Sequence, residues 1–153
     1  MGIRMTTKLS EVHDMLMREA ERVERLTIRA LSKLGEQCVT KIRDRAGDKS
    51  WYDQTGNLRS SVGYVIAHNK NIIQYSTFNQ VKQGSEGVKT GKDLAKELAK
   101  RYSNNYVLIV VAGMNYAEFV EAMDNKDVLA STKLWAREQV PLMLEKLKRQ
   151  IAK

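Results

Sequence analysis

Val62-Gly-Tyr-Val-Ile-Ala67-His-Asn-Lys-Asn71-Ile72-Ile-Gln-Tyr-Ser-Thr-Phe78 is the stretch that decides the fold. Val62, Tyr64 and Ile66 alternate onto one face, the period of a half-buried strand. His68-Asn-Lys-Asn71 is turn chemistry, and a second β-rich run follows from Ile72 to Phe78. Two such runs across a short polar turn predict a β-hairpin over 62–67 and 72–78. A third run, Tyr106 to Ala112, is continuously apolar, the signature of a strand covered on both faces. Trp51-Tyr52 lies ahead of the hairpin in a loop, 44–56, rich in Asp, Gly and Ser. Exposed Trp and Tyr give large contact area at low entropic cost, so the pair is a candidate interface. A loop anchor buried under the domain fits the same two residues.

Helical patterns flank the strands. Val12, Leu16, Ala20, Val23, Ala30, Leu34, Cys38 and Ile42 recur at spacings of three and four, with one wider step bridged by Leu26 and Thr27. This predicts one long amphipathic helix from Leu9 to about Arg43, preceded by a flexible start at 1–8. Ser131 to Lys153 is helical again, with a stripe of Ala136, Val140, Leu144, Leu147 and Ile151. Pro141 lies inside it, removes a hydrogen bond and crowds the preceding turn, so a kink or a break is expected there. Residues 79–91 hold Gly84, Gly87 and Gly91 and little to bury, which reads as a mobile loop. A short helix follows from Asp93 to Tyr102. Residues 116–121 read as a short helical or bent segment and 124–127 as a turn. The fold class is therefore α+β: a single domain over 1–153, with a small, mainly antiparallel sheet packed on one face against the N-terminal and C-terminal helices, and with 79–105 inserted.

Composition excludes several functions. A single cysteine, Cys38, leaves no disulfide framework and no multi-cysteine zinc site. His13 and His68 are far apart, and neither sits in a metal motif. The longest apolar run, Val107 to Met114, is too short to span a bilayer, and no secretory signal is visible. These features favour an intracellular protein with no membrane partner. Gly87-Val-Lys-Thr-Gly91-Lys92 is one residue short of a phosphate-binding loop, and Asp93 stands where the motif needs a hydroxyl. Glu118 and Glu121 have no partner that would make an acid–base pair. No constellation for catalysis and no cofactor site emerges, so the expectation is a protein that is not an enzyme.

The chain carries 26 Lys and Arg against 18 Asp and Glu, a net charge of +8. The excess lies in 82–101 and in the last helix. Lys82, Lys89, Lys92, Lys96, Lys100 and Arg101 are the candidates for contact with DNA or an acidic partner.

Two motifs remain. Asp53-Gln-Thr55-Gly56-Asn57-Leu58-Arg59-Ser60-Ser61-Val62 offers a capping hydroxyl at Thr55, a residue for special backbone at Gly56, a core anchor at Leu58 and an outward cation at Arg59. In Tyr116-Ala117-Glu118-Phe119-Val120-Glu121, the residues Tyr116, Phe119 and Val120 can pin the segment to the sheet. With the order long helix, T-G-x-L-R-x-S turn (Ser61 closing it), hairpin, apolar strand, Y-A-x-F-V-E segment and C-terminal helix, the chain resembles the tail-component family of long-tailed phages and prophages. These are tail-completion and head-to-tail-joining proteins, loosely akin to the minor tail protein Z of lambda. The resemblance covers about 9–150. It departs in two places: Ala122-Met123-Asp124 replaces a Gly and a Pro-rich loop, and the insertion 79–105 replaces a short link. The resemblance implies a ring-forming virion protein at the neck or head-proximal tail end, made in the bacterial cytoplasm. Its implied partners are itself, connector and tail-tube proteins, and DNA passing through the channel. A basic nucleic-acid-binding module of phage or mobile-element origin is the alternative.

Overall fold

The computed structural model describes residues 1–4, 6–47, 50–103, 105–123 and 126–153. Parts of the expected N-terminal start, the 44–56 loop, the 79–105 insertion and the 124–127 turn therefore lie outside the described residues. The elements run α1 (Leu9–Arg43), α2 (Asn57–Ser60), β1 (Val62–His68), β2 (Asn71–Tyr75), α3 (Ser85–Ala99), β3 (Tyr106–Ala112), α4 (Ala117–Ala122) and α5 (Ala130–Ile151).

The strands form a three-stranded antiparallel sheet in the order β2-β1-β3. This is the α+β architecture expected, with its small sheet, long first helix and C-terminal helix. The hairpin turn is tight because Asn69 and Lys70 both take positive φ, 51° and 67°. That is the geometry of a two-residue turn matched to strand twist. The register slips once between Ile66 and Ala67. β2 ends at Tyr75, earlier than the 72–78 run suggests, because Ser76 leaves the regular ladder. Its Oγ accepts the Tyr64 N–H at 2.8 Å while its own N–H donates to Tyr64 O at 2.8 Å. Phe78 then folds over β1 onto Gly63, where a Cβ would stand 2.4 Å from the ring.

Alternation on β1 separates two cores. Val62, Tyr64 and Ile66 pack with Val39 and Ile42 of α1, and with Trp51 and Leu58. Val65 and Ala67 pack with Phe78, Ile109, Val111 and with Ala95 and Ala99 of α3. The sheet is thus covered on both faces, not on one. The second cover comes from the region read as a mobile loop and insertion: Ser85 to Gly91 is the start of α3. Its glycines are sites of close approach. A Cβ on Gly87 would lie 2.0 Å from Asn57 O, and one on Gly91 would lie 2.4 Å from Ser61 O.

α5 runs antiparallel along α1. Arg22 donates to the carbonyls of Gln150 and Ile151 at one end, and Arg45 donates to Ser131 Oγ at the other. The helix is continuous through the exposed Pro141. It leans on α1 and leaves the Leu108 and Val110 side of β3 half-covered, so β3 is buried on one face only.

Candidate functional site

The 53–62 motif is a knot of backbone capping. Gly56 has φ 81°, and a Cβ there would meet Val81 O at 2.0 Å, so the position demands glycine on two counts. The main cap is Asp53 rather than Thr55. Its carboxylate is buried and accepts the Gly56 N–H at 3.1 Å and the Arg59 N–H at 2.8 Å. Thr55 Oγ1 adds a longer contact from the Asn57 N–H, 3.3 Å. Leu58 is 1% exposed and is the anchor expected.

Arg59 does not point outward. Its guanidinium lies 4.6 Å over the Trp51 ring and donates to Arg43 O, Ser50 Oγ and Trp51 O. Trp51 is 5% exposed beneath it, whereas Tyr52 is 86% exposed. The pair therefore divides: Trp51 is a core anchor, which removes it from any interface, and Tyr52 remains a surface aromatic. Lys82 flanks that aromatic, with Nζ 5.4 Å from the Tyr52 ring and donating to Asp53 O at 2.7 Å.

The motif also holds the start of α3. Asn57 Oδ1 accepts the Gly87 N–H at 3.1 Å, one of the donors a helix leaves unpaired at its N-terminus. Ser60 Oγ accepts the Val81 N–H at 2.8 Å, and Gln83 donates its N–H to Thr55 O. Ser61 is fully buried; its Oγ donates to Leu58 O and accepts the Gly113 N–H, tying the turn to the end of β3.

The second motif meets the first. The Tyr116 phenol sits beside Asp53 and Thr55. Burial and the Asp53 charge raise its pKa, with Thr55 opposing. Tyr116, Ala117 and Val120 pack on the α1-side core. Phe119 does not pin the segment: it is 75% exposed, because a helical turn from Ala117 carries it to the solvent side. Glu121 has a role that the sequence does not announce. Its carboxylate accepts the N–H groups of Val128, Leu129 and Ala130 at 3.0, 2.7 and 3.0 Å and so caps α5. Asp127 supports the same end through its ion pair with Arg45 at 2.9 Å.

α3 gathers four of the six candidate cations. Lys89, Lys92, Lys96 and Lys100 are exposed at spacings of three and four along its solvent face. Lys82 lies apart beside Tyr52. Arg101 is paired with Glu97 at 2.8 Å. Asp93 lies among the four lysines in sequence, so the stripe is not purely basic.

Chemically these features tie elements together and present surfaces. Cys38 is buried and its thiol pKa is raised by that burial, with Lys41 opposing, the reverse of an activated nucleophile. Among the described residues no group of His, Cys, Asp and Glu could hold a metal ion, and no helix is long and apolar enough to cross a membrane. Comparison with protein-family models, with curated proteins and with solved structures finds no match.

Proposed function

We propose that the chain is a structural component of a phage or prophage virion, working at the neck or head-proximal tail end. Its mechanism is binding, with no catalytic step and no cofactor: it assembles into a ring and docks to connector and tail-tube subunits. One observation carries the reading. The two motifs that resemble the tail-component family, 55–61 and 116–121, lie on opposite sides of the sheet-forming region in sequence yet share one core, where Tyr116, Ala117 and Val120 pack on the cluster that holds Leu58. The antiparallel pairing of Val62 with Ala112 brings the two segments to the same end of the sheet, so both motifs contribute to one surface. Tyr52, Phe119 and Met123 are exposed and available for contact with other subunits.

The test is particle morphology. Deleting the gene from the producing phage or prophage should leave filled heads and separate tails, with joining restored by the intact gene. Normal joined particles from the deletion would sink the proposal.

The lysine stripe on α3 favours the second reading, a nucleic-acid-binding module. Each phosphate neutralised contributes about −0.9 to the slope of log K against log salt. A steep slope lost when Lys89, Lys92, Lys96 and Lys100 become Gln would support it. Absence of binding at low salt would remove it.

A further inference from the structure

The start of α1, residues 9–21, is exposed apart from a half-buried Val12. The helix is unbroken from Leu9 to Arg43, yet its buried residues begin at Leu34. α5 reaches only as far as Arg22, which donates to Gln150 O and Ile151 O. Ahead of that point Leu9 is 75% exposed and Leu16 66%. Leu9, Val12 and Leu16 stand at i, i+3 and i+7, the anchor spacing of a helix that docks in a groove. At 1.5 Å per residue, residues 9–21 make an arm about 20 Å long. Glu11, Asp14 and Glu21 stand against Arg18, while Glu19 is paired with Arg22 at the base of the arm at 2.7 Å.

The same molecule carries an apolar groove of about 580 Å³ where α5 stands off the sheet. Leu108 and Val110 of β3 form one wall, Val140 and Leu144 of α5 the other, and Cys38 lies at the floor. Lys133 and Arg137 stand on its α5 side. An acidic, apolar-striped helix and a basic-rimmed apolar groove are complementary in shape class and in charge.

We infer that the groove receives the α1 arm of a second copy of this chain. The arm cannot serve its own groove, because α1 is one continuous helix whose later turns, through Leu34 and Cys38, already line it. The contact is heterologous: each subunit gives an arm and takes an arm, so the assembly closes into a ring or runs on as a filament. This deepens the ring proposed above and rests on that reading for closure; the arm–groove contact rests on the two surfaces.

The test uses the full chain in light scattering across concentration. The intact protein should form species larger than a dimer. Leu16→Asp and Leu144→Asp, both at exposed positions, should each give monomer with an unchanged melting midpoint. Mixed together they should give dimers and nothing larger, since each pair keeps one sound arm and one sound groove. Asp14→Lys should weaken assembly, and Arg137→Glu in the same chain should restore it. A monomer at every concentration overturns the inference. So does assembly that survives Leu144→Asp, which would mean arm-to-arm pairing or another surface. In that case the neck reading stands if the deletion still leaves tails unjoined. If arm–groove assembly holds but the deletion leaves joined particles, the neck reading alone fails.

Discussion

Trp51 and Tyr52 are neighbours in sequence with opposite fates, and the cause is a third residue. Arg59 folds back over Trp51 and bonds the loop carbonyls around it, so the indole is sealed while Tyr52 stays in water. The sequence shows two aromatics in a polar loop; it does not show which one the guanidinium will cover. Replacing both together would confuse two effects. Trp51→Ser should cost about 3–5 kcal/mol, the range for losing a core aromatic. Part of that loss is offset, since the buried indole N–H has no partner among the described residues and its removal ends that penalty. Tyr52→Ser should shift stability by no more than about 0.5 kcal/mol. Urea unfolding of the two single variants checks both, and equal midpoints would contradict the division. In the sequence Glu121 is the last residue of the Y-A-x-F-V-E motif and an acid with no acid–base partner, with no sign of the helix it caps. Its three N–H contacts cap α5, where a negative charge also meets the positive end of the helix dipole. Glu121→Ala should therefore cost about 2 kcal/mol, with Glu121→Gln recovering part of it. A midpoint unchanged in the alanine variant would mean that solvent replaces the cap.

At the level of elements, the strands and both long helices follow from periodicity, which depends only on a side chain's place in its own segment. α3 does not. Its first turns carry Gly87 and Gly91, which composition assigns to a loop, and their reason lies elsewhere in the chain, in the carbonyls of Asn57 and Ser61. Glycine here permits a helix to lie against backbone. The two explanations give opposite predictions for Gly87→Ala. If propensity ruled, alanine would stabilise the helix by about 1 kcal/mol. With a Cβ placed 2.0 Å from Asn57 O, a rigid neighbour, α3 must lift away from the turn, for a net loss of about 2 kcal/mol. Thermal melts decide the sign. A rise in midpoint would show that α3 is loosely held after all.

At the scale of the molecule, the element order was readable and the layering was not. Tyr106 to Ala112 looks like a strand with two covered faces because every residue in it is apolar. In the structure α5 lies beside α1, so one face of that strand meets the groove. What binds α1 to the sheet on this side includes two phenol–carboxylate bonds, Tyr64 to Glu36 at 3.0 Å and Tyr106 to Glu24 at 3.0 Å. Burial first, and then the acid partner, raise the pKa of both tyrosines. A folded-state pKa above the unfolded value means that the native protein holds the proton more tightly. The stability from these protons is therefore fully present below the ordinary tyrosine value of about 10 and is lost as pH rises through the raised folded values. The melting midpoint should be insensitive to these groups from neutral pH to about 9, and should then fall. Tyr64 is 2% exposed and should dominate the fall; Tyr106 lies nearer solvent, where screening weakens its share. Tyr64→Phe should start lower at neutral pH, having lost its bond to Glu36, and then descend less steeply above pH 10. Tyr106→Phe should run almost parallel to the intact protein. A Tyr64→Phe curve parallel to the parent across the alkaline limb would mean that other groups, the lysines foremost, set the alkaline limit of the fold.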